Sequence, residues 1–275
     1  MAGPLDIARL EAVLDRTDLR ESFYGFYRHA WRVINPAVPL VDNWHLGAVA
    51  EHLQAVADGQ IKQLVINVPP RTSKSTMASV CWPAWVWARD ASKRFMFASY
   101  TESLSKRDSR FCRDLLQSLW YQARWGGEVQ FKSDQNQQMR YETKAGGVRL
   151  AVTVAGANAG EGGDYIVVDD PHNFMEVYSA AHREKAINWW QTAMSTRSND
   201  PTAGAKVIIM QRVHMQDLCG VLEAEGDWEW LRIPMRYDPR VQIETSLGAE
   251  DPRSQSGELL WPERFPEDAV RLLER

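Results

Sequence analysis

Apolar residues recur along this chain with two different periods. Helical spacing in "LDIARLEAVL" and "WHLGAVAEHLQAVADGQ" predicts helices over residues 5–33 and up to Gly59. Short, nearly continuous apolar runs, typical of buried strands, are "KQLVINV", "RFMFASY", "DYIVVDD" and "AKVIIMQR". Because helical segments alternate with these runs, the pattern predicts an α/β fold with a mainly parallel central sheet flanked by helices.

The remaining segments fit the same plan. One long helix, with basic residues on its polar face, is predicted in "SLSKRDSRFCRDLLQSLWYQAR". Two strands around an Ala-Gly-Gly turn are predicted in "QQMRYETKAGGVRLAVTVAG", and a last strand in "WEWLRIPMRY". Further helices are predicted in "SAAHREKAINWWQTAMSTR" and "MQDLCGVLEAEG". After Tyr237 the sequence turns polar and Pro-rich, which indicates an extended, loop-rich arm over 238–262.

Composition narrows the class of protein. A chain of 275 residues is long enough for one large α/β domain or two small ones. The formal net charge of −4 argues against a generally basic nucleic-acid coat but is compatible with a local basic channel. Cys81, Cys112 and Cys219 have neither metal nor disulfide spacing, which fits a reducing cytoplasm. The sequence contains no signal peptide and no run of ~18 apolar residues, so we expect no membrane span.

The stretch "INVPPRTSKSTMASV" looks like a phosphate-binding loop between a strand and a helix. When the pattern G-x-x-x-x-G-K-[ST] is laid on Lys74 and Ser75, the glycine positions fall on Val68 and Ser73. Lys74 would place a charge at the phosphates, and Ser75 would offer a hydroxyl to Mg²⁺. Because prolines have no N–H, the phosphate cradle must come from the six residues Arg71, Thr72, Ser73, Lys74, Ser75 and Thr76.

Because Val68 and Ser73 stand where the pattern has glycines, an alternative interpretation of this loop stays open. A left-handed backbone at Ser73 would cost ~1 kcal/mol more than at glycine, which nucleotide binding tolerates. Arg71 is a candidate to supply charge that offsets the weaker cradle. Taken alone, the stretch is also compatible with an ordinary loop followed by a capped helix.

A second candidate is the acidic end of "DYIVVDDP". Asp169 would hold Mg²⁺, and Asp170 would orient and deprotonate an attacking water. A strand followed by a common Asp-Pro turn is the alternative interpretation. The order of the two segments favours function, since nucleotide hydrolysis needs a phosphate loop and an acidic strand end at the same edge of the sheet.

A third strand end, in "KVIIMQRVHMQDL", carries Gln211 and Arg212. A polar group there is suited to sense the γ-phosphate, although a surface Gln-Arg pair explains the pattern equally well. The histidines show no H-E-x-x-H pattern, and no G-x-S-x-G elbow is present.

Taken together, these segments resemble the large terminase subunits of tailed bacteriophages and prophages. "VDNWHLGAVAEHLQAV" resembles their N-terminal adenine-side segment, and "VPPRTSKST" their deviant phosphate loop, often written PPR-x-x-K-[ST]. "GEGGDYIVVDDP" is similar to their acidic segment, "IIMQRVHMQDLCGVL" to their coupling motif, and "SGELLWPERFPEDAV" to the segment that joins motor and nuclease. The order of all five is specific, whereas any one of them alone is not.

The resemblance implies roles for individual residues. Lys74 and Ser75 would bind phosphates and Mg²⁺, Asp169 would be the acidic metal residue, and Asp170 would hold the position of the catalytic carboxylate. Trp44 and His45 lie in the adenine-side segment, so a contact with adenine is implied for them.

The chain departs from the family pattern at three positions, which are Gln211 in place of Thr, Val213 in place of Trp, and Glu161 where some relatives have Arg. Some relatives have an arginine at the position of Glu161 that acts on the γ-phosphate of a neighbouring subunit, and this chain lacks it. Arg71 is the candidate for this role within its own subunit, that is, in cis. In trans the candidates are Arg149, ranked first, and Arg140.

The resemblance also implies a function and an organisation. We expect an ATPase of the phosphate-loop, ASCE type, with ATP and Mg²⁺ as ligands, that moves double-stranded DNA into a procapsid in the host cytoplasm. Portal protein, small terminase subunit and further copies in a ring would be its partners. Residues 1–237 would form the motor, with a helical segment over 1–60 and the core over 61–237. Residues 238–275 would lead towards a nuclease domain absent from this chain.

Two other functions are compatible with the same residues. One is a helicase-like DNA-dependent ATPase. The other is a catalytically inactive scaffold, suggested by the missing loop glycines and by Asp170 where many such ATPases have Glu.

Overall fold

A computed structural model describes residues 14–154, 156, 161–200 and 202–274. The first part of the predicted N-terminal helix, residues 5–13, and Gly160 of the "GEGGD" segment lie outside the described residues. The strands are β1 (Gln63–Asn67), β2 (Arg94–Ser99), β3 (Phe131–Asn136), β4 (Arg140–Thr143), β5 (Val148–Thr153), β6 (Tyr165–Asp169), β7 (Ala205–Ile209) and β8 (Glu229–Arg232).

The helices alternate with the strands over most of the chain. They are α1 (Phe23–Ile34), α2 (Trp44–Ala57), α3 (Trp82–Arg89), α4 (Glu102–Gln117), α5 (Leu119–Trp125), α6 (Ala180–Trp189), α7 (Leu218–Glu225) and α8 (Glu267–Leu273). Residues 14–21 are also helical. A π-helical turn over Thr76–Cys81 leads into α3, and another over Trp190–Met194 follows α6.

Within the described residues, the eight strands form one sheet in the order β3-β4-β5-β2-β6-β7-β1-β8. Six neighbouring strands of this order pair in parallel, and they are β5, β2, β6, β7, β1 and β8. The strands β3 and β4 add an antiparallel edge. The predicted α/β fold with a mainly parallel sheet is therefore confirmed. The strand β7 lies between β1 and β6.

Helices cover both faces of the sheet because successive strand residues point to opposite sides. Val65, Met96 and Ile208 pack on one face with residues of α6 and α7. Their neighbours Ile66 and Phe97 belong to a larger core on the other face, together with residues of α1 to α4. Burying each such side chain contributes ~1.5–3 kcal/mol, so the alternation fixes which side of the sheet each helix covers.

The boundaries differ from the pattern at two serines. The predicted helix over 103–124 is two helices, because Ser118 has extended backbone and its hydroxyl accepts a hydrogen bond from the Tyr121 N–H at 3.2 Å. Ser22 caps α1 in the same way and separates it from residues 14–21. Serine hydroxyls compete for backbone N–H groups and favour helix starts, which an apolar periodicity does not register.

The strand β3 was not predicted, because its sequence FKSDQN is polar and it lies at the edge of the sheet. Residues 238–262 contain no helix or strand, as predicted, although Leu260 and Trp261 are buried in the large core. The division into a motor and an arm stays a prediction. Cys81, Cys112 and Cys219 are free and buried. Among the described residues, no helix combines the length and the apolar character that a membrane crossing requires.

Candidate functional site

The carboxyl ends of β1, β2 and β6 border a cavity of about 250 Å³. This volume is below the ~300–1,000 Å³ of pockets that enclose a whole drug-sized ligand, and it suits the phosphates of a nucleotide. The lining residues come from four places, which are the segment after β1, the end of β2, the end of β6 and the first turns of α4. They are Pro70, Arg71, Ser73, Lys74, Ser75, Thr76, Ser99, Leu104, Arg107, Asp108, Asp169 and Asp170. We call this the phosphate cavity.

The loop before the π-helical turn has a backbone that is unusual for non-glycine residues. Arg71 has φ 63° and Ser73 has φ 68°, both in the left-handed region. Ser73 therefore has the left-handed conformation whose cost was considered above, and Arg71 shares it. Such residues cost on the order of 1–3 kcal/mol each and cluster at ligand-binding sites. Alternating backbone conformations also turn successive N–H groups towards one concavity, which is how anions are bound.

Thr72 stabilises this loop through its buried side chain. Its side chain is buried, and the hydroxyl donates to the carbonyl oxygen of Pro69 at 2.7 Å. The carbonyl oxygen of Thr72 lies 3.4 Å from Nε2 of His45, which is also buried. The Thr72 side chain thus faces the protein interior, and its backbone N–H is the group left to serve a ligand.

The cavity floor holds three charged side chains side by side. Lys74 forms an ion pair with Asp170, and its Nζ lies 3.9 Å from Oδ1 of Asp169. Lys74 and Asp169 are each about 6% exposed, whereas Asp170 is 32% exposed. The structure therefore brings together the three residues on which the sequence prediction depended. Asp170 has φ 47°, a left-handed backbone that turns the chain directly after β6.

Ser79 orients Asp169. Its hydroxyl donates to Oδ2 of Asp169 at 2.9 Å, and both side chains are buried. The other carboxylate oxygen, Oδ1, accepts no hydrogen bond from the described residues. Ser79 lies in the π-helical turn after the loop, a type of turn that is rare and frequent at functional sites.

Burial raises the pKa of Asp169 to about 6, because the charged carboxylate is poorly solvated there. The ammonium of Lys74 opposes this rise, Asp170 and Asp108 add to it by repulsion, and the Ser75 hydroxyl opposes it. Asp169 therefore carries a charge at an energetic cost, which an added cation would relieve.

These residues fit a magnesium ion. Mg²⁺ takes one or two carboxylates, and phosphates and waters complete its octahedron. Asp169 offers an oxygen without a hydrogen bond, and the hydroxyl of Ser75 lines the same cavity. No group of three or more His, Cys, Asp or Glu side chains suited to a metal occurs among the described residues. A site made of Asp169, Ser75 and substrate phosphates does not require one.

Arg107 and Asp108 also line the cavity and were not among the predicted site residues. Both lie in α4, where the exposed Arg107 donates from Nε to Oδ1 of the buried Asp108 at 2.8 Å. A signal for this pair was available in the sequence. Leu104, Asp108 and Cys112 follow at intervals of four, so the aspartate interrupts the apolar side of the helix.

The structure does not bring Trp44 or His45 into the phosphate cavity. His45 lies beneath the loop with its ring 4.8 Å from that of Trp261, and burial lowers its pKa to about 4. Trp44 borders a different cavity, formed with α1 and residues 247–252. The adenine contact implied for both residues stays a prediction.

Gln211 and Arg212 lie on the opposite side of the loop, in a cleft of about 610 Å³ that we call the β8 cleft. Pro69 and Pro70 separate it from the phosphate cavity, since they border the cleft and Pro70 borders both. Arg212 Nε lies 3.3 Å from Oδ1 of the buried Asp217, which holds its guanidinium at the start of α7. A role in sensing the γ-phosphate stays a prediction for both residues.

The placement of Arg149 corrects the expectation that it serves a neighbouring subunit. It is 1% exposed, donates to the carbonyl oxygen of Ser79 at 2.8 Å, and stacks over the ring of Phe97 at 4.2 Å. A side chain buried within its own subunit cannot reach another. Arg140 is partly exposed but forms ion pairs with Glu142 and Glu161, at 2.9 and 2.7 Å.

Comparisons with known proteins add a fold-level likeness. No protein-family model matches the chain, and no curated protein matches it. Among solved structures that match is the large terminase from the thermophilic bacteriophage D6E in complex with ADP, at 13% sequence identity and a TM-score of 0.40. The match covers 66% of this chain and 44% of that chain, so this chain spans less than half of that protein's length.

Proposed function

We propose that this chain is a Mg²⁺-dependent ATPase and the motor of a machine that packages double-stranded DNA. The observation that carries the ATPase proposal is the convergence of Lys74, Asp169 and Asp170 on one cavity next to a strained, left-handed loop. Three buried or half-buried charges and three residues with left-handed backbone are costly unless a ligand uses them. Packaging as the purpose of hydrolysis rests on the resemblance of the five ordered segments to large terminase subunits.

The residues of the cavity divide the work of hydrolysis among them. The backbone N–H groups of residues 71–76 and the ammonium of Lys74 bind the phosphates and neutralise their charge. Asp169 and Ser75 hold Mg²⁺, which when bound neutralises charge on the phosphate oxygens. Asp170 is exposed enough to meet a water molecule, accepts its proton and orients its oxygen towards the γ-phosphorus.

The ion pair between Lys74 and Asp170 has a consequence for this division. In this ion pair the carboxylate faces the ammonium and not a water molecule, and the ammonium is less available to phosphate. Binding of a triphosphate would draw Lys74 away from Asp170, because the phosphates carry more negative charge. Asp170 then becomes free to accept the proton of water only when the substrate is bound.

The test is phosphate release from ATP by the purified chain, with and without Mg²⁺. An absence of release under both conditions contradicts the ATPase proposal and favours an inactive scaffold. A chain that hydrolyses ATP is then supplied with double-stranded DNA and procapsids. Protection of the DNA from nuclease inside the capsid supports packaging, whereas strand separation of a duplex favours a helicase-like function.

A further inference from the structure

Helix α4 presents an arginine to the phosphate cavity from the wall opposite the loop. The helix begins directly after β2, where the hydroxyl of Thr101 accepts a hydrogen bond from the N–H of Leu104 at 3.4 Å. Because α4 follows the carboxyl end of β2, its first two turns lie at that edge of the sheet. Leu104, Arg107 and Asp108 consequently line the same cavity as Lys74 and Asp170.

Asp108 fixes the direction of Arg107. The carboxylate is 5% exposed, and one of its oxygens accepts the hydrogen bond from Nε of Arg107 at 2.8 Å. The two terminal nitrogens of the guanidinium form no hydrogen bond with the described residues. The hydrogen bond to Asp108 raises the pKa of Arg107 above its ordinary value, and the charges of Asp169 and Asp170 act in the same direction. Arg107 is thus a permanent cation, held at one end and open at the other.

The other basic groups of the cavity are less suited to the transferred phosphoryl group. Lys74 is occupied by Asp170, and it binds as a point charge. Arg71 belongs to the left-handed loop itself, and its side chain has no ion pair or hydrogen bond within the described residues that would fix its direction. A guanidinium with a fixed Nε and two free N–H₂ groups matches the equatorial oxygens on which charge collects in phosphoryl transfer.

We propose that Arg107 is the arginine that stabilises the transition state of ATP hydrolysis in cis, with Asp108 as its positioning residue. This inference rests on the proposed ATPase function and assigns two further residues to that site. It replaces Arg149, which is buried, and takes precedence over Arg71, whose guanidinium lacks a fixed position.

The experiment compares Arg107→Ala and Arg107→Lys with Arg110→Ala. Arg110 is a matched control, since it lies three residues further along the same exposed helix surface, over the ring of Phe111, and does not line the cavity. For each chain, calorimetry gives the affinity for ATP, ADP and ADP with fluoroaluminate, a mimic of the transferred phosphoryl group. Single-turnover phosphate release gives the rate, and thermal unfolding confirms that the variants fold.

We expect Arg107→Ala to lower the rate on the order of 10³-fold, while its affinity for ATP and ADP stays within a few-fold of the wild type. Affinity for ADP with fluoroaluminate should fall with the rate. Arg107→Lys should recover only part of the rate, because an ammonium lacks the planar fork. Arg110→Ala should match the wild type in every measurement.

Two results overturn the inference alone. One is a wild-type chain that hydrolyses ATP together with an Arg107→Ala chain that is equally fast. The other is a loss of ATP affinity in proportion to the loss of rate, which makes Arg107 a ground-state binder. A wild-type chain without any hydrolysis overturns the proposed function itself, and the two failures are thereby distinguished.

Discussion

The loop after β1 separates two cavities that differ in how their charges are satisfied. In the β8 cleft, Arg232 has two carboxylate partners, Glu223 at 2.9 Å and Glu244 at 3.1 Å, both on exposed side chains. In the phosphate cavity, Asp169 is buried, raised in pKa and left with one oxygen that accepts no hydrogen bond from the described residues. The first is a solvated network in which opposite charges neutralise one another. The second keeps a buried carboxylate oxygen of Asp169 without a hydrogen-bond donor among the described residues.

Backbone strain follows the same division. Three of the four non-glycine residues with positive φ among the described residues, Arg71, Ser73 and Asp170, line the phosphate cavity, and none lines the β8 cleft. Folding alone selects against strain and incomplete hydrogen bonding, so their coincidence at one place indicates a function there. The β8 cleft has the larger volume, but volume indicates a catalytic site less well than backbone strain and incomplete hydrogen bonding do.

The strongest test of this comparison removes the central cation. Lys74→Ala should lower the affinity for ATP more than about 100-fold, about 2.8 kcal/mol, because the phosphates and both carboxylates lose their shared counter-charge. Calorimetry measures the affinity, with Lys106→Ala as control, since Lys106 lies on the surface of α4 and forms an ion pair there with Glu102.

A companion measurement addresses the β8 cleft directly. Inorganic triphosphate replaces ATP, so that contacts to the base play no part. Arg232→Ala should leave triphosphate affinity unchanged, whereas Lys74→Ala should abolish it. An equal loss in both variants would mean that phosphates occupy both cavities, and the comparison would fail.

The second test separates the two carboxylates of the phosphate cavity. Asp170→Asn should keep ATP binding and lower turnover about 10²–10⁴-fold, because an amide has the shape of a carboxylate without its basicity. Asp169→Asn should shift activity to higher Mg²⁺ concentration. Phosphate release measured across a Mg²⁺ titration distinguishes the two. Wild-type turnover in both variants would remove the end of β6 from the mechanism.

The third test uses the pKa of Asp169. In the nucleotide-free chain this pKa is about 6, above the ordinary value near 4, so the folded state binds the extra proton. The charged carboxylate therefore costs stability above pH 6, and this cost disappears below pH 4.

Asp169→Asn should accordingly stabilise the apo chain by up to about 3 kcal/mol at pH 7 and by much less at pH 4. Urea unfolding at both pH values measures the difference. A gain that is the same at both pH values would show that the ionisation of Asp169 is not its source.

A smaller effect is expected from Ser79, which donates to Asp169. Ser79→Ala should cost about 1–3 kcal/mol of stability, because a buried carboxylate oxygen loses its donor. In the double variant with Asp169→Asn the cost should shrink, since the charge that needed the donor is gone. Additive costs in urea unfolding would place the effect of Ser79 elsewhere, for instance in its carbonyl contact with Arg149.

The smallest effect concerns the loop backbone. Ser73→Gly should stabilise the folded chain by ~1 kcal/mol at most, because glycine adopts φ 68° without a steric penalty. ATP affinity should stay equal or rise slightly in calorimetry. A large loss of affinity would instead show that the Ser73 hydroxyl contacts the phosphates.

The core of this site could be predicted from the sequence for a physical reason. Apolar runs mark the buried strands, and the carboxyl ends of parallel strands meet at one edge of the sheet. A lysine after β1 and two aspartates after β6 must then lie close together, although 96 positions separate Lys74 from Asp170. The strand alternation, the sheet type and this triad all follow from local patterns of the chain.

The tertiary structure decided which arginine can reach the phosphate cavity. The sequence indicates a hairpin at Arg149, but β5 pairs in parallel with β2 inside the sheet, and the side chain is buried over Phe97. The sequence shows Arg107 as one of several basic residues on the polar face of a helix, and only the packing of α4 places it at the cavity. Sequence spacing determines on which face of a helix or strand a residue lies. The packing of elements that are distant in sequence determines which residues that face contacts. The contacts of a long charged side chain therefore depend on the tertiary structure.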